Sequence, residues 1–393
     1  MAPRVAFLPD SFLETNGAAR TCRELAAFAR RRELPFLLAH FGAENRIERN
    51  GIWRLEFRRS PLGFPVDADL AFDLTFYRLR DRLERALRSF GAQVIHITSP
   101  GELGILGAIL AARLKLPLVA SWHTNVHEFA SRRARKLLSW LPAGAGEAAV
   151  RWAENSVLDR LLWLFGRSEV ILAPNDELID LIHRRTGKPV HRMERGIDTE
   201  TFTPERRDRR DGLCVLGHIG RLMPEKNVRL LVEVERRVAA AGRSGFRFFV
   251  AGHGSEERWL RENLKNAEFD GILPPDALAR AYANMDVFLF PSLTDTFGNV
   301  AQEAVASGVP AVVMDAGGPN YIVRHGVSGL VASSAEQFAE HAGRLVDDAE
   351  LRRKMGRAGR EQMLGRSWDN AFEVVCEAYR EAVERRARRP ASV

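Results

Sequence analysis

Cysteine is scarce in this chain of 393 residues: Cys22, Cys214 and Cys376 are the only three, and they lie far apart. Such spacing excludes a disulfide framework and a cysteine zinc site, so reduced structural thiols are expected. Long apolar runs are missing as well, none approaching the roughly 18 residues that cross a bilayer. The opening MAPRVAFLPDSF is broken by Pro9 and Asp10 too early for a secretory leader. It reads as a buried first strand, and a cytoplasmic location is expected. The dinucleotide fingerprint GxGxxG is absent, since Gly252-His253-Gly254 lacks the third glycine. His123 and His127 have the spacing H-x-x-x-H, but Thr124 stands where a zinc protease has glutamate, and no third ligand is evident. Asp67-Ala-Asp69 follows Gly-Phe-Pro-Val and reads as a solvated turn, not as a metal-binding pair at a strand end. No metal and no resident cofactor are therefore expected. The formal charge of +7 comes from arginine scattered along the chain. Its denser runs, at 132–136 and 385–389, lack the interleaved aromatics of single-strand binders, so no nucleic-acid partner is expected.

What the chain has is a recurrence of short apolar, β-branched runs with helical patterns between them, the mark of parallel sheets with crossover helices. In the first half these are RVAFL (4–8), PFLLAH (35–40), VIHIT (94–98), LVASW (118–122) and VILAP (170–174). In the second half they are LCVLGHI (213–219), FRFFVAG (246–252), VFLFPS (287–292) and AVVMD (311–315). Nine strands suit two doubly wound α/β domains better than one sheet. The polar, charged stretch 194–212 reads as the linker, which gives domains 1–204 and 205–365. Residues 366–393 carry Trp368, Phe372, Val375, Cys376, Tyr379 and Val383 at helical spacing, a stripe that must pack on something.

In open parallel sheets, ligands sit beyond the carboxyl ends of the strands. After the first strand, Asn16-Gly17 opens a helix where backbone N–H groups can meet a phosphate, although a glycine at a tight turn is usually just a turn. After the fourth comes His123, suited to hydrogen-bonding or orienting a substrate. The turn GHIGRLMPEKN supplies Gly220, Arg221 and Lys226, and two fixed cations match the charge that grows on a departing diphosphate. A solvated basic turn is the plain alternative. In PSLTDTFGNVAQEAVASGVP, Asp295 and Glu303 flank the helix start Phe297-Gly298-Asn299, and together they could grip sugar hydroxyls, diphosphate and ribose.

These strings resemble the retaining glycosyltransferases of family 4, which have the GT-B fold. The match is Asp295-Thr-Phe-Gly298 through Glu303-Ala-Val-Ala-Ser-Gly308-Val-Pro310, with GRLMPEKN, HITSPGELG, SWHTN, RGIDTETFTP and RSWDNAF in the same order along nearly the whole chain. The resemblance implies two Rossmann-like domains facing a central cleft, with the C-terminal helix crossing back to the N-terminal domain. It implies a nucleotide-sugar donor linked to GDP or UDP. Arg221 and Lys226 would hold the diphosphate, Gly17 and Gly220 would approach phosphate, and His123 would contact the transferred sugar. Asp295 with Phe297, Gly298 and Asn299 would bind sugar and phosphate, and Glu303 would hold the ribose. Two departures bear on donor identity: Asp295 is one methylene shorter than the family's usual glutamate, and Tyr321 stands where an acidic residue is frequent. The sequence is most similar to the subgroup with GDP-mannose-dependent α-mannosyltransferases and sulfoquinovosyl- or glucosyl-diacylglycerol transferases, whose acceptors are often lipids.

The stretch 129–141, FASRRARKLLSWL, suits a helix lying on anionic lipid and equally one packed in the first domain. A sugar-nucleotide epimerase of like architecture would lack the Arg221 and Lys226 turn coupled to Asp295 and Glu303. A non-catalytic sugar-nucleotide-binding protein would have no need to keep His123, Arg221, Lys226 and Glu303 together.

Overall fold

The computed structural model describes residues 2–14, 16–61, 63–67, 70–123 and 143–388. His127, Asp69 and the stretch 129–141 lie outside them. Contacts divide the chain into two compact units, one of residues 1–194 with 368–393 and the other of residues 195–367.

The first unit holds β1 (Val5–Leu8), β2 (Phe36–Gly42), β3 (Arg46–Glu48), β4 (Trp53–Arg58), β5 (Gly63–Asp67), β6 (Leu70–Asp73), β7 (Val94–Ile97), β8 (Leu118–Ser121), β9 (Val170–Ala173) and β10 (Val190–Arg192). Eight of these form one sheet in the order β10-β9-β8-β7-β1-β2-β4-β3, parallel except for β3 against β4. β1, β7, β8 and β9 are buried at every position, as strands covered on both faces must be. The covers come from α1 (Gly17–Arg31), α2 (Arg80–Phe90), α3 (Glu102–Arg113), α4 (Ala143–Phe165) and α5 (Asp176–Thr186). The Asn16 and Asn175 side chains start α1 and α5 by accepting the Ala19 and Leu178 N–H groups, each at 2.9 Å.

The second unit has β11 (Cys214–Ile219), β12 (Phe246–Ala251), β13 (Ala267–Gly271), β14 (Val287–Phe290), β15 (Ala311–Met314) and β16 (Gly329–Ala332) in one parallel sheet, ordered β13-β12-β11-β14-β15-β16. Its helices are α6 (Leu230–Ala240), α7 (Glu257–Asn263), α8 (Pro275–Ala283), α9 (Asn299–Ala306), α10 (Pro319–Ile322), α11 (Ala335–Asp347) and α12 (Ala349–Leu364). The chain then returns to the first unit through α13 (Trp368–Ala387), whose Phe372, Val375 and Tyr379 join a core with Phe7, Phe28, Val119 and Leu172.

In both sheets the winding reverses beside a central strand, β1 in the first and β11 in the second, so the loops after these strands border a switch-point crevice.

Two features differ from the sequence reading. Gly63–Asp67 is a strand, β5, paired antiparallel with β6, so Asp67 ends a strand and does not sit in a loop. The charged stretch read as a linker is bound to the second unit: Ile197 and Phe202 are in its core, and the Arg207 and Arg209 side chains donate to Asp286 and to the Met285 and Asn284 carbonyls. Charge there marks a tethered strap, because the Arg207 and Arg209 guanidinium groups find carboxylates and carbonyls of the second unit.

Candidate functional site

In the second unit three loops meet at the carboxyl end of the sheet. The first leaves β11 at Gly220, whose φ of 155° suits glycine. It runs so close to a flanking loop, the one after β12, that a Cβ on Gly252 would lie 1.9 Å from the Gly220 carbonyl oxygen, and one on Gly254 would lie 2.1 Å from that of Leu222. Gly252 and Gly254 thus shape the cation-bearing turn, a role their failed fingerprint does not announce. Lys226 ends a short turn, Pro224–Lys226, and its Nζ donates to both carboxylate oxygens of Asp295 at 2.8 and 2.7 Å. The two expected ligands are therefore partners of each other. Arg221 is half exposed, with its guanidinium 3.7 Å from Glu225. Burial alone would raise the Asp295 carboxyl, but the Lys226 ammonium outweighs it and Arg221 adds in the same sense, so the group is held below the usual carboxylate range.

The second loop, after β14, carries Asp295, Phe297 and Gly298 into α9. Gly298 precedes the helix at φ 88°, which few side-chain-bearing residues adopt. Against it runs the third loop, after β15: a Cβ on Gly317 would lie 2.6 Å from the Asp295 carbonyl oxygen, and one on Gly318 would lie 2.2 Å from Phe297 Cα. The Gly318 N–H donates to the Asp295 carbonyl at 2.5 Å. Arg195 lies over the buried Phe297 ring, 5.2 Å from its centroid, and donates to Asn299 Oδ1 at 3.2 Å. Glu303 follows Asn299 by four residues, on the same helical face, and is buried with Oε2 accepting from the Tyr282 hydroxyl at 3.0 Å. Arg195, Tyr282 and the glycine pairs are site-shaping residues the sequence reading gave no role. Only Gly-Gly at 317–318 offered a signal, as a turn.

In the first unit Gly17 is the first residue of α1. His123 is buried just past β8, with Nε2 2.8 Å from Ser121 Oγ. Ser121 Oγ lies 2.8 Å from His96 Nε2, and His96 Nδ1 lies 2.8 Å from the Tyr379 hydroxyl. Burial pushes His96 down to about 3. Past β1, Asp10 accepts from Ser99 Oγ at 2.6 Å and from the N–H groups of Gly101, Leu103 and Gly104 at 3.0 to 3.3 Å. Burial pushes its carboxyl up to about 7, against the pull of those donors. Among the described residues no helix is long and apolar enough to cross a membrane.

The family model described as "Glycosyltransferase Family 4" matches residues 15–201, and the one described as "Glycosyl transferases group 1" matches residues 214–348. A GDP-mannose-dependent alpha-mannosyltransferase of Mycobacterium tuberculosis is 32% identical over 95% of this chain and 94% of its own. One of Mycolicibacterium smegmatis is 33% identical over 79% of this chain and 80% of its own. Among solved structures, sucrose-phosphate synthase from Thermosynechococcus elongatus superposes with a TM-score of 0.73 at 17% identity, over 96% of this chain and 98% of that one. Two parallel-sheet, Rossmann-like units are the fold class of the GT-B enzymes.

Proposed function

The chain belongs to the glycosyltransferases described as group 1 and family 4, and on that premise we propose that it moves a hexose from a nucleoside diphosphate sugar to a saccharide or lipid acceptor. Mannose from GDP-mannose is the favoured donor, on the strength of what the relatives are named for. The observation that carries the reading is the gathering of Lys226, Asp295, Arg221 and the start of α9 at one end of the second sheet. Arg221, Lys226 and the backbone N–H groups at Phe297, Gly298 and Asn299 take the diphosphate, beside Gly220. Asp295 binds sugar hydroxyls and Glu303 the ribose. Gly17 is assigned a contact with the donor phosphate and His123 one with the transferred sugar.

Transfer proceeds with retention of anomeric configuration. The bond from the anomeric carbon to the phosphate oxygen breaks, the acceptor oxygen bonds to that carbon on the same face, and the acceptor proton passes to the departing phosphate. Fixed cations make a divalent metal unnecessary for this charge. The test is a thermal-shift screen across UDP, GDP and ADP and their sugars, in EDTA. A ligand at ~100 times its Kd stabilises by about 2.7 kcal/mol. GDP and GDP-mannose are expected to give the largest shift, and turnover is expected to survive EDTA. No shift with any nucleotide, or turnover restored only by magnesium or manganese, would contradict the reading.

A further inference from the structure

Three consecutive hydrogen bonds, each 2.8 Å, connect His123 to the C-terminal helix by way of Ser121, His96 and Tyr379. All four residues are buried. A neutral imidazole has one N–H and one acceptor nitrogen, and a hydroxyl has one hydrogen; with the Ser121 hydrogen directed at one of its two imidazole neighbours, the chain can be oriented in two ways. The end at Tyr379 decides between them. Among the described residues its hydroxyl has a single hydrogen-bond partner, His96. Were His96 Nδ1 the donor, the phenolic hydrogen would be sealed in the core with no acceptor, which native interiors avoid, whereas the opposite orientation puts the terminal hydrogen on His123 Nδ1, just past β8, at the end of the chain assigned to the substrate. Tyr379 is therefore the donor to Nδ1, and His96, kept neutral by its burial, carries its hydrogen on Nε2. That N–H donates to Ser121 Oγ, and the serine hydroxyl donates in turn to His123 Nε2.

We infer that Tyr379 is a positioning residue, acting through His96 and Ser121 to hold His123 as the Nδ1–H tautomer. His123 then meets its substrate as an N–H donor, matched to the oxygen of a sugar hydroxyl, with its ring direction set by the Ser121 contact. A C-terminal helix that packs as plain core on one side thus also sets the hydrogen-bonding character of a site residue. The inference rests on the reading of His123 as the contact to the transferred sugar.

The experiment is ¹⁵N–¹H correlation spectroscopy of the histidine rings in the full chain, for the wild type, Tyr379→Phe and Ser121→Ala, with GDP release from GDP-mannose measured on the same samples. The wild type is expected to show His123 with Nδ1 protonated and Nε2 unprotonated. Tyr379→Phe and Ser121→Ala are expected to give mixed tautomers at His123 and to lower turnover about fivefold, the loss of one neutral hydrogen bond, with donor KM little changed. Ser121→Ala, which trims one hydroxyl, keeps the test open should Tyr379→Phe fold poorly. An Nε2–H tautomer in the wild type, or an unchanged His123 signal in both variants, would overturn the inference. A shifted tautomer with unchanged turnover would uphold the chain and sink the assignment of His123 to the sugar.

Discussion

Each unit places an aspartate just past a strand of its sheet, and the two behave in opposite ways. Asp10 in the first is enclosed among a hydroxyl and backbone N–H donors, and its carboxyl is pushed up to about 7 by burial, with the nearby Glu102 carboxylate adding in the same sense. Asp295 in the second is bound at both oxygens by Lys226 and is held below the usual range. The difference extends to the neighbours. Near the first unit's candidate residue His123 runs a chain of hydroxyls and imidazoles, while the second unit's candidate residues include the Lys226–Asp295 ion pair. A buried network of hydroxyls and imidazoles suits the orientation of uncharged hydroxyl groups, and an ionic, partly exposed one suits a partner that brings its own charge. Within the proposed reaction, the second unit supplies the charge and the first the direction.

The largest effect should come from the ionic side. Lys226→Ala is expected to lower kcat about a hundredfold to a thousandfold while weakening donor binding far less, because the ammonium acts on charge that develops in the transition state. Steady-state kinetics paired with calorimetry separates the two. Equal loss in both would make Lys226 a uniform binder. Part of the loss would come from leaving Asp295 without its cation, so Lys226→Ala with Asp295→Ala should cost less than the sum of the single changes.

The neutral side is expected to appear in stability. Asp10 is raised in the folded state from 3.8 to about 7, so the native protein binds the proton more tightly than the unfolded chain does. Its contribution is fully present below the unfolded value and is lost as pH rises through about 7. The wild type should therefore lose stability relative to Asp10→Asn by up to ~1.4 kcal/mol per pH unit across that window, levelling off above it. Urea denaturation of both forms over the range would check this. A flat difference would place Asp10 with the charged groups and erase the contrast between the units.

The smallest effect concerns the hydroxyl that steadies Glu303. Tyr282→Phe removes one hydrogen bond to that carboxylate and should weaken nucleotide affinity about fivefold, with kcat unchanged. A fall in kcat with affinity intact would remove Glu303 from ribose binding.

Much of this was legible beforehand. All nine apolar runs are strands, since strands buried on both faces read as continuous apolar segments. Two strands that escaped, Trp53–Arg58 and Ala267–Gly271, are partly exposed and mix polar with apolar residues. Arg221, Lys226, Asp295 and Glu303 stood out because charged residues beside glycine turns are chemically conspicuous. Lys226 and Asp295, 69 positions apart, could not be read as a pair, because only the adjacency of β11 and β14 brings them together. His96 and Tyr379, 283 positions apart, needed the return of the C-terminal helix. Gly252 and Gly318 act by lacking a Cβ, which leaves no chemical trace.

The division between the units is tested most directly by calorimetric titration of GDP into the wild type, Lys226→Ala and His123→Ala. The account predicts about tenfold weaker binding for Lys226→Ala, the cost of one charge-assisted contact. It predicts an unchanged Kd for His123→Ala, whose defect should appear only with the sugar attached. Loss of GDP affinity in His123→Ala equal to that in Lys226→Ala, or full affinity in Lys226→Ala, would contradict it.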